Sequence, residues 1–126
     1  MSSGSHFESM GGEEALRAVI ADFVARVFAD PMIGFFFARA SQARIEEMEY
    51  QHAAEHLGGP VRYTGRPLAE AHAPHQVFGG HFERRKKILD DVLRAHGVPD
   101  EVREAWLAHT ESLRSEITTD RGSECR

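Results

Sequence analysis

The chain has 126 residues, with 15 Lys and Arg against 20 Asp and Glu, a single Cys and eight His. This length fits one domain that buries its core without a disulfide or a structural metal, and the net charge of −5 is opposite in sign to that of a general nucleic-acid binder. No apolar run reaches the roughly 18 residues of a membrane span, no signal peptide is recognisable, and the lone Cys125 suits a reducing compartment. We therefore expect a cytoplasmic protein that binds neither nucleic acid nor membrane.

Apolar residues recur at helical spacing along most of the chain, and the alternation typical of strands is absent. Residues 1–10 are predicted to be an N-terminal tail. A long helix is predicted over residues 12–29 and ends at Asp30-Pro31. Pro31 begins a short helix that ends in three phenylalanines. Ser41 caps a third helix over residues 42–57, which Gly58-Gly59-Pro60 ends.

The second half of the chain continues the helical pattern. Its predicted elements are a loop at residues 62–66, a short helix from Pro67 to about His72 limited by Pro74, a long helix from His81 to about His96, a C-cap at Gly97, and a last helix from Pro99 to about Ile117. Residues 119–126 are small, polar and charged, so we expect a disordered C-terminal tail.

Glycine pairs separate these helices, at Gly11-Gly12, Gly58-Gly59 and Gly79-Gly80. Because glycine allows sharp changes of chain direction, helices joined in this way cross at an angle. The sequence therefore predicts an all-α domain over residues 11–118, an angular helical sandwich that leaves a central pocket more readily than a parallel bundle does.

Two predicted helix faces carry polar residues where an apolar stripe is expected. Glu49 and His52 share a face of the third helix with Ile45 and Met48, and Arg85 interrupts the stripe of the long helix. Functional sites are where such local rules break. Periodicity alone, however, favours the simpler interpretation, a solvated face on each helix.

Two other kinds of site have weaker support. Glu49-x-x-His52 matches half of a di-iron carboxylate site, but the second half is absent. The run Arg84-Arg85-Lys86-Lys87 points all round a helix and is flanked by acids, which favours a solvated face with i,i+4 ion pairs over a phosphate site. Three histidines at surface-like positions have no predicted role: His6, His96 and His109.

His72 is a better candidate for a metal ligand. It lies near the end of a short predicted helix held between Pro67 and Pro74, and a rigid short helix is a good platform for one ligand. On position alone, an ordinary structural histidine remains the simpler interpretation.

A series of short motifs keeps a fixed order and spacing along the chain. They are Gly11-Gly12-Glu13-Glu14-Ala15-Leu16, Phe23, Ala29-Asp30-Pro31, Phe36-Phe37, Leu57-Gly58-Gly59-Pro60, Tyr63-Thr64-Gly65-Arg66, Ala71-His72-Ala73-Pro74, His81-Phe82 and Gly97-Val98-Pro99. In this order they resemble the bacterial truncated hemoglobins, short globins with a two-over-two helical sandwich. The motifs are most similar to those of the first group of that family, and the resemblance extends to about Ile117.

The resemblance implies a heme b cofactor, with His72 as the proximal ligand of the iron. It implies that Phe37 wedges against the porphyrin, that Phe23 lines the distal side, and that Arg66 pairs with a propionate. The remaining cofactor-binding residues that it implies are Val24, Phe36, Ile45, Met48, Tyr63, Leu68, His75, Val77 and Phe82. His81 also falls near the proximal side.

The distal side departs from the family pattern. Val24 stands where an oxygen-binding Tyr is usual, Ile45 stands nearest the iron in place of Gln or His, and Glu49 follows one turn later where Gln is common. Arg85 stands where Trp or an apolar residue is usual. The resemblance therefore puts both interrupted stripes on one cavity, and we expect Glu49 to pair with Arg85 or to have a raised pKa.

The leading functional hypothesis is reversible binding of a diatomic gas, O2, CO or NO, at heme iron, with Arg85 or His52 as hydrogen-bond donor to the ligand. A second is peroxidase-like chemistry, with Glu49, His52 and Arg85 as catalytic residues. NO dioxygenation, with a reductase as partner, is disfavoured because it needs tight O2 binding. Further alternatives are a sixth iron ligand from Met48 and a heme-free interaction or sensor domain. Both a monomer and a homodimer are compatible with the sequence.

Overall fold

A computed structural model of the chain describes residues 5–65 and 77–118, and all regular secondary structure within these residues is helical, which confirms the predicted all-α class. The elements are α1 (His6–Ser9), α2 (Gly12–Ala29), a 3₁₀ helix (Gly34–Phe37), α3 (Gln42–His56), α4 (Gly79–Ala95), α5 (Asp100–Ser112) and α6 (Arg114–Ile117). The short helix predicted over residues 67–72 and the tail predicted over residues 119–126 lie outside the described residues.

Helix α2 forms the centre of the core. Its stripe at steps of three and four is buried as the sequence predicts, from Leu16 and Ile20 to Phe23 and Val27. It contacts α3 on one side and α4 on the other, and α4 in turn contacts α5. The α2–α3 pair therefore lies over the α4–α5 pair, in the two-over-two arrangement that the resemblance implies.

The N-terminal segment is part of the domain, so the prediction of a tail over residues 1–10 is wrong from Ser5 onward. The Ser5 hydroxyl accepts a hydrogen bond from the amide of Glu8 and caps α1, and Phe7 is buried. The Phe7 amide donates to the carbonyl of Leu57 at 2.9 Å. A Cβ on Gly59 would lie 2.7 Å from the Phe7 ring, so the glycine after α3 makes room for this aromatic side chain.

The ends of the later helices differ from prediction by a few residues. Helix α4 begins at Gly79, so Gly79-Gly80 forms its first turn instead of preceding it. The single helix predicted from Pro99 to Ile117 is broken at Leu113 into α5 and α6. Gly97 has a φ of +68°, in the left-handed region that favours glycine, which confirms it as the residue that ends α4.

Asp30 joins the end of α2 to α4. Its buried carboxylate accepts hydrogen bonds from the amides of Met32 at 2.9 Å and Ile33 at 3.2 Å, and from the guanidinium of Arg84 at 2.7 and 2.8 Å. The hydrogen bond from Arg84 holds the pKa of Asp30 below its ordinary value. This carboxylate therefore positions the 3₁₀ helix, with its three phenylalanines, against α4.

The basic run 84–87 is not the simple solvated face that the sequence predicts. Lys87 makes the expected i,i+4 ion pair with Asp91 at 2.8 Å. The other three side chains reach carboxylates on other elements: Arg84 binds Asp30, Arg85 binds Glu49 and Lys86 binds Glu111. Long basic side chains on α4 thus connect it to α2, α3 and α5.

Replacement of Asp30 tests this arrangement. We expect Asp30→Ala to lower the free energy of unfolding by about 2 kcal/mol, because two backbone amides lose their acceptor and Arg84 loses its buried partner. The matched control is Asp91→Ala, which removes an exposed ion pair and costs less than about 0.5 kcal/mol. Urea denaturation of both variants measures the difference, and equal losses would contradict the role of Asp30.

Candidate functional site

A cavity of about 480 Å³ opens between α3, the 3₁₀ helix, α4 and α5. Its walls are largely apolar and aromatic, with Phe36 and Phe37 from the 3₁₀ helix, Ile45 from α3 and Phe82 from α4. A volume of this size is in the range of small-molecule and cofactor sites. The cavity is the candidate functional site of the chain.

Glu49 and Arg85 meet in this cavity. The Arg85 Nη2 atom donates to both carboxylate oxygens of Glu49, at 3.0 and 3.2 Å, and the Arg85 guanidinium lies 4.9 Å from the centroid of the Phe23 ring. The Glu49 side chain is 30% exposed and the Arg85 side chain is 27% exposed. The two interrupted helix stripes therefore face each other as an ion pair, one of the two outcomes expected from the sequence, and are not separate solvated faces.

Most of the predicted cofactor-binding residues within the described ranges line the cavity. They are Phe36, Phe37, Ile45, Met48, Tyr63, Val77 and Phe82, and the candidate catalytic residues Glu49, His52 and Arg85 line it as well. Phe37 is held in place by stacking on Phe28, with ring centroids 5.0 Å apart.

Two predicted cofactor contacts lie behind the cavity wall. Phe23 and Val24 are 2% and 1% exposed and belong to the core between helices. The guanidinium of Arg85, which lines the cavity, lies over the Phe23 ring. A further four predicted residues lie outside the described ranges: Arg66, Leu68, His72 and His75.

The last two helices supply a wall of the cavity that the sequence interpretation missed. Trp106, His109, Thr110 and Leu113 line the cavity from α5 and the residue that follows it, and Ile117 does so from α6. Their spacing of three and four residues is a helical stripe. His109 was predicted to be a surface residue; it is half-buried instead.

Three imidazoles, His52, His56 and His109, form a group at this wall that we call the histidine cluster. The rings of His56 and His109 stack with centroids 3.7 Å apart and planes 11° apart, and His109 lies 5.7 Å from His52. His52 also meets Tyr63 edge to face, at 5.4 Å. Burial lowers the pKa of all three, to about 4 for His56, so the cluster is neutral at pH 7.

Positive groups outnumber negative ones on the cavity wall. Arg39 and Arg44 line it and are exposed, which places them at its mouth. Glu49 is the one carboxylate among the described lining residues, and it is paired with Arg85. No described carboxylate pairs with Arg39 or Arg44. The cavity is therefore suited to a ligand that is mostly apolar and carries negative charge at the mouth.

His81 adds a further donor. Its Nδ1 atom accepts a hydrogen bond from the amide of Phe78 at 3.0 Å, so the proton of the neutral ring is on Nε2. The ring also meets Phe36 edge to face at 5.0 Å. His81 thus presents a fixed N–H group beside the aromatic wall.

Neither a metal cluster nor a membrane span is found in the part of the chain that the structure describes. No group of three or more His, Cys, Asp or Glu side chains there could hold a metal ion. None of the helices in these ranges is long and apolar enough to cross a membrane.

Comparisons with known proteins agree with this geometry. A family model described as bacterial-like globin matches residues 5–119. The chain is 35% identical over 115 residues to the group 1 truncated hemoglobin of Mycolicibacterium paratuberculosis, covering 91% of this chain and 85% of that protein. It is 30% identical over 96 residues to the group 1 truncated hemoglobin of Tetrahymena pyriformis, covering 76% and 79%.

Solved structures give the same result. The truncated hemoglobin of Tetrahymena pyriformis in its Fe(III) form superposes with a TM-score of 0.86 at 26% identity, over 93% of this chain and all of that one. The group II truncated hemoglobin of Bacillus anthracis, at 20% identity, shares the fold with a TM-score of 0.85 over 94% of each chain. Since the family model spans all the described residues and the group 1 relative of Mycolicibacterium paratuberculosis is 35% identical, the chain belongs to the bacterial-like globin family, among the group 1 truncated hemoglobins.

Proposed function

We propose that this chain binds heme b in the cavity, with His72 as the proximal ligand of the iron, and that it reversibly binds a diatomic gas, O2, CO or NO, on the opposite side. The globins to which it belongs are heme proteins, and one structurally similar relative carries a covalently attached heme. Heme, when bound, supplies an iron atom with an open coordination position for the gas.

The observation that carries this proposal is the chemistry of the cavity wall. A porphyrin with two propionates is flat, apolar at its centre and negatively charged at one edge. The cavity offers aromatic faces from Phe36, Phe37 and Phe82. At its mouth it offers the guanidinium groups of Arg39 and Arg44, for which no described residue supplies a carboxylate. These residues fit the group in both respects, and the proposed Arg66 contact would add a third cation.

Stabilisation of a bound gas has to come from a donor other than the residue at position 24. Val24 has no hydroxyl and is 1% exposed, so it donates nothing to a ligand. Arg85 lines the cavity and donates from Nη2 to Glu49, and no other described residue accepts from its remaining N–H groups, which can therefore donate to a ligand. His52, neutral because burial lowers its pKa, supplies a second N–H donor.

Loss of His72 tests the heme proposal. We expect the purified chain to show a Soret band, and we expect His72→Ala to abolish or shift it because the iron loses its axial imidazole. Absorption spectra of the ferric and ferrous forms, with and without CO, measure this, with His96→Ala as the control for loss of a histidine elsewhere. A colourless chain that takes up no hemin would contradict the proposal and favour the heme-free interaction or sensor domain.

Met48 lines the cavity on the same face as Ile45 and is the one thioether on its wall among the described residues. With an open sixth position, the ferrous spectrum should be high-spin and Met48→Leu should leave it unchanged. A low-spin ferrous spectrum that CO displaces, and that disappears in Met48→Leu, would show instead that Met48 binds the iron.

A second candidate function, peroxidase-like chemistry, is favoured by one observation, the Glu49–Arg85 pair beside His52 in the cavity. Reduction of hydrogen peroxide to water requires a base that moves a proton and a cation that stabilises the negative charge developing on the leaving oxygen. Glu49 or His52 fills the first role and Arg85 the second. Two electrons come from an added reductant such as a phenol.

Replacement of Glu49 tests this candidate. We expect Glu49→Gln to lower turnover of hydrogen peroxide with a phenolic reductant by about 100-fold or more, because the side chain can no longer accept the proton. The control is Glu46→Gln, one turn before Glu49 on the same helix, because Glu46 does not line the cavity and has no ion pair among the described residues. Absence of peroxide turnover in the parent chain would contradict the enzymatic reading and leave gas binding as the function.

A further inference from the structure

The histidine cluster is where α3 and α5 meet at the inner wall of the cavity. His56 lies in the last turn of α3 and His109 in the last turn of α5, and their rings stack face to face. A face-to-face stack at 3.7 Å brings two basic groups together in a way that tolerates at most one positive charge. The contact between the two helices is therefore incompatible with a proton on each of the two rings.

The stack is also incompletely hydrogen-bonded. The Nε2 atom of His56 is buried and has no hydrogen-bond partner within the described residues, while the Ala105 carbonyl interacts with the same ring. A buried polar nitrogen without a partner costs free energy that exposure to water would recover. The unsatisfied Nε2 atom thus lowers the free energy needed to separate α3 from α5 at the histidine cluster.

Charged groups around the cluster compensate a proton on it only in part. His52 faces Glu49 and Glu55 on its own helix, Arg85 on α4 and Glu116 on α6. His109 faces Glu116 and His52, and His56 faces His109, His52 and His6. Of the acids, Glu49 is held by Arg85, and Glu55 accepts a hydrogen bond from the amide of Tyr63. Glu116 attracts a proton on His52 and on His109, but burial has the larger effect on the pKa of both rings.

We propose that the histidine cluster is an acid-operated latch between α3 and α5, in which protonation of the stacked imidazoles separates the two helices and opens the inner wall of the cavity. The sign follows from linkage. Burial holds the pKa of each ring below the ordinary value of about 6.5. The closed form is therefore fully favoured above that pH and loses stability as the pH falls from about 6.5 toward 4, where the open form binds more protons.

Hydrogen bonds to carboxylates elsewhere in the domain persist in this pH range. Four carboxylates have pKa values held below their ordinary range by a hydrogen bond from a neighbouring side chain. Arg26 donates to Asp22, Arg84 to Asp30 and Gln51 to Glu47. Arg114 donates to Glu111 and lowers the pKa of Glu111 to about 2. These carboxylates remain ionised while the imidazoles take up protons. Opening is therefore local to α3 and α5 and precedes general acid unfolding.

The single tryptophan of the chain reports on the latch. Trp106 lies on α5 one turn before His109, lines the same cavity and is 6% exposed. We expect acrylamide quenching of its fluorescence in the full-length chain to rise as the pH falls from 7 to 4, while the helix signal in far-UV circular dichroism stays constant. Simultaneous loss of both signals would identify ordinary acid unfolding and overturn the proposal.

Variants assign the transition to the cluster. In His109→Phe the stack keeps an aromatic ring that takes up no proton, so the pH-dependent rise in quenching should be lost. His56→Phe should have the same effect and serves if the first variant does not fold. His96→Asn, which changes a histidine paired with Asp22 away from the cavity, should retain the rise. A rise that persists unchanged in both cluster variants would overturn the proposal.

The experiments distinguish failure of the latch proposal from failure of the heme proposal. The quenching experiment requires no cofactor, and variants are compared at the heme content with which they are purified. If the chain shows no Soret band but still exposes Trp106 in acid, the heme proposal is contradicted and the latch proposal is supported. A heme-containing chain whose Trp106 remains protected would do the reverse.

Discussion

The ion pair between Glu49 and Arg85 is the interaction on which the cavity depends. Each residue interrupts the apolar stripe of its helix, and each side chain is about 70% removed from solvent. A charge in such a position is tolerated when a partner of opposite sign holds it, and removal of one partner leaves the other unpaired in a partly apolar site. One ion pair thus explains why a charged residue interrupts the apolar stripe of each helix. It also holds α3 and α4 at a fixed separation across the cavity.

The same pair determines the charge that the cavity presents. Because Arg85 neutralises Glu49, the remaining charged groups on the described wall are the cations Arg39 and Arg44 at the mouth. Their positive potential is set against a chain of net charge −5, so it is a local property of the site and not of the surface as a whole. A ligand with an apolar body and carboxylates at one edge satisfies both parts of the wall, whereas a neutral apolar ligand would leave the two guanidinium groups without a carboxylate partner among the described residues.

Much of this architecture could be predicted from the sequence because it rests on short-range rules. The stripe of α2, the stop at Asp30-Pro31, the Ser41 cap and the end of α4 at Gly97 are each set by residues within a turn or two. That Glu49 and Arg85 face one cavity followed from the family resemblance and not from periodicity, which equally describes two solvated faces. Placement of His72, on which the heme proposal depends, lies outside the described residues.

The predictions that were wrong concern contacts between residues distant in sequence. Phe7 lies in a polar segment that has no helical period, and its burial depends on the space that Gly59 leaves after α3. The sequence analysis places His109 at a surface-like position, although Trp106, Thr110 and Leu113 continue its stripe along the cavity. Its stacking on His56 is a property of how α3 and α5 cross, which no local pattern specifies.

The high histidine content of the chain has a different meaning once these contacts are known. A multi-histidine metal site would bring ring nitrogens to a common point, but no such group exists among the described residues, and His56 and His109 instead meet through their faces. In that arrangement the imidazoles act as aromatic surface while neutral and as repelling charges once protonated. The same two residues can therefore stabilise the α3–α5 contact at neutral pH and destabilise it in acid.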